Sequence, residues 1–198
     1  MPTVRVVLFA VCLIAPAYAA SQRQPLPPLL AESAADFDVW RAALDEIRRD
    51  PPAHHSGSSG VRRSRVALRN QTIAAADIRS HLQETQLTND LFQRLLDQNP
   101  VSVRFLDSER LRPFRILDLA QFRDHYGRFE WERLDRFASN ERLWMVCVSR
   151  PGFSDDGMLA IVYTVTSGGF EDGHGYSFVF KKFDGSWVLS KRLLMWIS

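Results

Sequence analysis

The stretch of residues 168–180 holds the densest set of side chains in the sequence that could do chemistry. It reads GGFEDGHGYSFVF and places Glu171, Asp172 and His174 just before an aromatic strand. A carboxylate beside a histidine can act in general acid–base catalysis, as in a hydrolase. The glycines also fit a turn between two antiparallel strands, because glycine tolerates positive φ angles. The pattern favours the turn and keeps Glu171, Asp172 and His174 as catalytic candidates.

Binding chemistries fit the loop of residues 168–175 less well. A phosphate-binding loop precedes a helix and usually carries lysine, whereas Gly175 leads into a predicted strand. A calcium loop needs alternating acidic ligands, and a zinc site needs more than one histidine. His54 and His55 are adjacent in a Ser/Gly-rich loop, and neighbouring histidines rarely chelate one ion without further ligands. We therefore expect no metal and no cofactor.

The start of the chain has the order of a secretory signal peptide. Arg5 supplies a positive charge, an apolar run follows, and the small residues Ala17 and Ala19 precede the expected cleavage point. We predict a signal peptide at residues 1–20, a mobile proline-rich lead at 21–35, and one domain at 36–198. The apolar run is shorter than the roughly 20 residues that span a bilayer, and no later stretch is apolar for longer. The predicted location is the periplasm or the outside of the cell, with no membrane span in the mature chain.

Charge and cysteine content exclude several classes of function. The formal net charge is +2, which argues against nucleic acid or an anionic membrane as the partner. Without the signal peptide, Cys147 is the single cysteine, so an intramolecular disulfide is excluded. Its apolar neighbours favour a buried, inert thiol over a catalytic thiolate.

The first part of the predicted domain reads mainly as helices. Apolar residues at helical spacing predict a helix at residues 36–49, two helices within 73–98 that break around 85–88, and one at 130–137. A short strand is expected at residues 65–69 and another at 114–117.

The C-terminal third reads as four strands. Runs rich in β-branched and aromatic residues, bounded by Gly, Pro or Asp, cover residues 143–149, 158–167, 176–183 and 187–197. The Asp-Gly pair at residues 184–185 suits a two-residue type I′ turn. That turn predicts three cross-strand pairs: Phe183 with Ser186, Phe180 with Leu189, and Phe178 with Lys191. The expected fold class is α+β, with N-terminal helices packed on the aromatic side of a C-terminal antiparallel β-meander of about four strands.

The last quarter of the chain also carries several short runs that form a pattern. The runs SRPGF, AIVY, GG, GHGY, KFDGSW and WIS begin at residues 149, 160, 168, 173, 182 and 196, and weaker matches are NQT at 70 and LDQN at 96. With these runs the chain resembles a family of uncharacterised exported, mostly bacterial proteins, although Pro151 stands where that family has a branched apolar residue. The resemblance implies export and an α+β domain, and it implies no activity.

The DGSW run gives a second resemblance, to the sheet edge of NTF2-like proteins. That resemblance implies a small-ligand pocket, for which the candidate lining residues are Tyr163, Tyr176 and Phe178.

The leading hypothesis is an exported, non-catalytic interaction or accessory module of the cell envelope. Its partner would be an envelope or extracellular protein. The alternatives are a secreted hydrolase that uses His174 with Glu171 or Asp172, and an NTF2-like protein that uses the loop of residues 168–175 to bind a small ligand.

Overall fold

The structure, a computed structural model, describes residues 33–51, 65–83, 86, 89–104, 109–125, 128, 130–137, 143–168 and 173–198. The predicted signal peptide, most of the proline-rich lead, His54 and His55 lie outside these residues. The helices described are α1 (Ala34–Arg49), α2 (Ala75–Arg79), α3 (Asp90–Asp97) and α4 (Trp131–Phe137), with 3₁₀ turns at Glu109–Leu111 and Leu119–Phe122. The strands are β1 (Arg65–Arg69), β2 (Arg115–Leu117), β3 (Leu143–Val148), β4 (Gly152–Phe153), β5 (Leu159–Ser167), β6 (Gly173–Phe183) and β7 (Ser186–Ile197).

Within the described residues, the seven strands form one mixed sheet. The strand order is β2-β1-β3-β5-β6-β7, and β4 pairs with β5 beside this path. The pairs β2–β1 and β1–β3 are parallel, whereas all the remaining pairs are antiparallel. The α+β class is confirmed, but the predicted antiparallel meander of about four strands is wrong, because the sheet is mixed and has seven strands. The four predicted strands are β3, β5, β6 and β7. The short strands β1 and β2 extend the sheet beyond β3, and both of their pairings are parallel.

Helix α1 covers one face of the sheet, here called the α1 face. The Ser33 side chain accepts a hydrogen bond from the Asp36 amide at 3.1 Å and so caps the helix start. The helix buries an apolar stripe at 3–4 residue spacing, made of Phe37, Trp40, Ala43, Leu44 and Ile47. The stripe packs on the aromatic side of the strands, including Trp144, Phe178 and Phe180. The predicted helix and its core side are therefore confirmed, with a start two residues earlier than predicted.

The opposite face of the sheet is covered by α2, α3 and α4. Ile78 of α2 and Leu95 of α3 pack on Ile161 and Tyr163 of β5, and Leu134 of α4 packs on Ala67 of β1. Burial on both faces explains why β5 is apolar along its length. No helix in the described part of the chain is long and apolar enough to cross a membrane.

The β6–β7 hairpin has the predicted turn and part of the predicted register. Asp184 and Gly185 have φ angles of 46° and 78°, as a type I′ turn requires. The pairs Phe183–Ser186 and Phe180–Leu189 are confirmed.

The predicted pair of Phe178 with Lys191 is wrong. A β-bulge follows Leu189, so Val179 lies opposite Lys191 and Phe178 lies opposite Arg192. The extra residue moves the following side chains to the other face, as far as a second register shift opposite Gly175 and Tyr176. Arg192 therefore lies on the α1 face, with its guanidinium 4.1 Å from the Tyr176 ring centroid.

Candidate functional site

His174, the histidine of the candidate loop, lies inside strand β6. It is 2% exposed and pairs with Thr166 of β5 and Ile197 of β7. Its ring stacks on Tyr176 at 6.1 Å and meets Trp144 edge-on at 6.1 Å. The imidazole is therefore enclosed by aromatic rings in the core. The other two candidates, Glu171 and Asp172, lie outside the described residues.

The glycines at the start of β6 serve close packing. A Cβ atom added at Gly175 would lie 2.1 Å from the Trp196 indole nitrogen, and one at Gly173 would lie 2.6 Å from the Ser198 hydroxyl. Neither glycine has a positive φ angle, so the turn interpretation is wrong for these two positions. They let the C-terminal residues of β7 lie directly on the β6 backbone.

Tyr163 lies at the centre of a polar cluster that the sequence analysis missed. Its hydroxyl accepts a hydrogen bond from Trp196 Nε1 at 2.6 Å and lies 3.2 Å from His81 Nδ1. The Ser80 hydroxyl lies 3.3 Å from the same nitrogen, and the His81 ring stacks on Trp196 at 5.1 Å. We call Ser80, His81, Tyr163 and Trp196 the Tyr163 cluster. No motif points to His81, because the cluster joins residues from the turn after α2, from β5 and from β7, which are far apart in the chain.

The buried position of Tyr163 favours the protonated, neutral form of its phenol. Burial raises the pKa of Tyr163 to about 12, the hydrogen bond from Trp196 acts in the lowering direction, and the charge of Asp77 acts with burial. The phenol is therefore neutral across the physiological range. It can accept from Trp196 and donate to His81 at the same time, which ties β7 to the turn after α2.

The three candidate pocket residues do not share a face of the sheet. Tyr176 and Phe178 lie on the α1 face with Thr164 and Val162 as their β5 partners, whereas Tyr163 pairs with Ser177 and points to the α2–α3 face. Tyr163 and Phe178 are fully buried. The guanidinium of Arg192 covers the Tyr176 ring. These side chains are separate parts of two cores, so together they do not line one cavity.

Cys147 is held as a neutral thiol. Burial raises its pKa, while the nearby Arg69 guanidinium, 3.8 Å from the sulfur, acts in the opposite direction. A nucleophilic cysteine needs a lowered pKa, so this geometry agrees with the predicted packing role. The described residues contain no group of three or more His, Cys, Asp or Glu side chains that could hold a metal ion.

Several residues of the short runs in the last quarter have packing roles. Trp40 donates a hydrogen bond from its indole to the carbonyl of Ser149 at 2.8 Å. The buried Asn99 side chain accepts from the Arg150 amide at 2.7 Å and donates to the Arg150 carbonyl at 2.9 Å. A Cβ atom at Gly152 would lie 2.5 Å from the backbone nitrogen of Leu95. The SRPGF run is thus the junction where β4 meets α1 and α3.

The end of the β6–β7 hairpin exposes apolar side chains. Phe183 is 66% exposed, Val188 52%, Met158 43% and Leu159 37%. Leu159, Lys181 and Val188 form one row across three strands, and Phe183 lies on the same face beyond Lys181. We call Met158, Leu159, Phe183 and Val188 the hairpin patch. Large exposed apolar patches on a protein surface mark interaction sites.

Comparison of the chain with protein-family models, with curated proteins and with solved structures finds no match.

Proposed function

We propose that the protein is an exported, non-catalytic interaction module of the cell envelope that binds a protein partner through the hairpin patch. The single observation that carries this proposal is the exposure of four large apolar side chains at one end of the sheet. Covering such side chains is favourable by about 25 cal/mol per Å² of apolar surface removed from water. The export part of the proposal rests on the signal-peptide pattern of residues 1–20.

The composition of this sheet end favours a protein as the partner. Lys181 lies between Leu159 and Val188, Lys182 and Asp184 flank Phe183 in the chain, and the Lys182 ammonium lies 5.5 Å from the ring centroid of Trp187. Apolar side chains next to polar and charged ones of both signs fit a protein–protein interface, whose rim is polar. An anionic membrane would instead select a surface of one sign.

The hydrolase hypothesis receives no support from the position of its histidine. A general base must come within hydrogen-bond reach of a substrate proton, and His174 is enclosed between Trp144 and Tyr176. The small-ligand hypothesis likewise lacks a shared cavity for Tyr163, Tyr176 and Phe178.

The proposal is tested by covalent cross-linking of residues 21–198 in envelope extract, followed by recovery of the cross-linked partner. We expect a defined partner that is recovered with the wild-type protein and lost from the double variant Phe183→Ser/Val188→Ser. Both side chains are more than half exposed, so the double variant should keep its fold.

The matched control is Val101→Ser, because Val101 is 54% exposed but lies in the segment after α3, away from the hairpin. Loss of the partner from the double variant but not from the control supports the proposal. Equal recovery from the wild-type protein and the double variant, or equal loss from the control, contradicts it.

A further inference from the structure

An open groove runs along β2, the strand at the opposite end of the sheet order from β7. The groove has a volume of about 440 Å³ and is lined by Arg112, Pro113, Phe114, Arg115, Ile116, Leu117 and Gln121. We call it the arginine groove. Its size lies within the range of protein sites for small ligands and short peptide segments.

The side chains that line the arginine groove favour an anionic ligand. Two of them are arginines and none is a carboxylate. The Arg115 guanidinium lies 4.1 Å from the ring centroid of Phe137, and in the described part of the chain it has no ion pair. Stacking on an aromatic ring leaves the edge of a guanidinium able to donate two parallel hydrogen bonds to a carboxylate.

Arg112 can join such a site at little cost. It pairs with Glu109 at 2.8 Å, but both side chains are more than three-quarters exposed. Exposed ion pairs of this kind contribute little to stability. A carboxylate from a ligand can therefore replace or share the Glu109 partner.

The backbone of β2 favours an extended peptide over a small anion. One edge of β2 pairs with β1 through residues 115–117, and no strand in the described ranges pairs with its other edge. An open strand edge presents N–H and C=O groups that an extended peptide can bind by adding a strand. An inorganic anion would use the guanidinium groups and leave this edge unpaired.

We propose that the arginine groove binds an extended acidic peptide segment of a partner protein, which adds as a strand along β2 with its carboxylates on Arg112 and Arg115. This site is separate from the hairpin patch. Its test uses different residues and a synthetic peptide, so either proposal can fail without the other.

The probe is a fluorescently labelled peptide of alternating Glu and Val, about six residues long, which is a typical strand length. Fluorescence anisotropy should show saturable binding of this peptide and none of a matched Lys/Val peptide. We expect Arg115→Gln to weaken binding at least tenfold, since charge-assisted bidentate hydrogen bonds are strong. Added salt should also weaken binding.

The control variant is Arg79→Gln, which removes an exposed arginine of α2, a helix that packs on β5. Thermal unfolding monitored by circular dichroism checks that both variants keep the fold. Hydrogen exchange measured by NMR adds a readout specific to strand addition, because amides of residues 115–117 that do not bond to β1 should become protected with the peptide bound.

Three outcomes would overturn the proposal. The acidic peptide could fail to bind, or Arg79→Gln could weaken binding as much as Arg115→Gln does. Inorganic phosphate could also compete for the site at the same concentration as the peptide, with no protection of the β2 amides. That last result would reassign the groove as a site for small anions.

Discussion

The backbone at Gly152 and at Gly175 lies so close to another part of the protein that any side chain at these two positions would clash. At Gly152 the neighbour is the backbone of α3, and at Gly175 it is the indole of Trp196. Such contacts explain glycine without any role in a flexible loop. Asn99, which is fully buried, likewise uses both ends of its amide on the Arg150 backbone. At the scale of single residues, most of the unusual side chains on this fold have a packing explanation.

Tyr163 provides the pH-dependent prediction at this scale. Its folded-state pKa of about 12 lies above the ordinary value of 10.0 because the phenol is buried. A raised pKa means that the folded state holds a proton which the unfolded state has lost, so stability is complete below pH 10 and falls as pH rises towards 12. We expect the free energy of unfolding of the wild-type protein to fall more steeply over this range than that of Tyr163→Phe. At neutral pH the variant should be less stable by about 1 kcal/mol, since it loses the hydrogen bonds of the hydroxyl.

Two measurements check the Tyr163 prediction. Denaturant titrations at a series of pH values give the two stability profiles. The ultraviolet absorbance of tyrosinate, taken as wild-type minus variant, isolates the ionisation of Tyr163 and should have its midpoint near pH 12. A midpoint at the ordinary tyrosine value, with parallel stability profiles, would show that the phenol is not buried as described.

Local sequence predicted more about the elements than about the candidate site. The turn at Asp184 and Gly185, the α1 stripe and the four C-terminal strands follow from local preferences. The β-bulge after Leu189 has no equally clear local signal, and so the partner of Phe178 was predicted wrongly. The Tyr163 cluster and the parallel β1–β3 pair join distant parts of the chain, which local patterns do not encode. The burial of His174 depends in the same way on Trp144 of another strand.

At the element scale, the bulge places Arg192 where it connects β7 to the end of α1. Its Nη1 donates to the Asp50 carboxylate at 2.7 Å and to the Asp50 carbonyl at 3.2 Å, while the guanidinium lies over Tyr176. A cation at a helix C-terminus is favourable for the helix dipole. Arg192 therefore links the C-terminal end of α1 to strand β7.

Arg192→Ala should reduce the free energy of unfolding by about 1 to 2 kcal/mol, through loss of the cation–π contact, the ion pair and the stem packing. The matched control is Lys191→Ala, one residue earlier, where the side chain is exposed. That control should change stability by no more than about 0.5 kcal/mol. Urea denaturation of the three proteins measures the difference, and equal effects of the two substitutions would contradict the connecting role of Arg192.

At the scale of the whole molecule, the last four residues connect both faces of the sheet. Met195 packs against the core under α2 and α3, Trp196 donates to Tyr163, and Ile197 lies opposite the buried His174. Ser198 donates its amide to the Gly173 carbonyl at 2.9 Å and accepts from the Gly173 amide at 3.1 Å. Residues 195–198 are thus hydrogen-bonded and packed into the sheet.

Removal of residues 195–198 should therefore destabilise the entire domain. Full burial of a large apolar side chain is worth about 1.5 to 3 kcal/mol, and Met195 and Trp196 are half-buried, so we expect a loss of about 3 kcal/mol. For a domain of this size the melting temperature would fall by roughly 6 to 12 °C. Removal of Ser198 alone is the matched control, because it takes away only the hydrogen bonds to Gly173 and should cost about 1 kcal/mol. Calorimetry of the wild-type protein and the two truncated proteins measures the melting temperatures. If the protein without residues 195–198 melted at the wild-type temperature, this account would be wrong, because β7 could then lose its end without exposing either core.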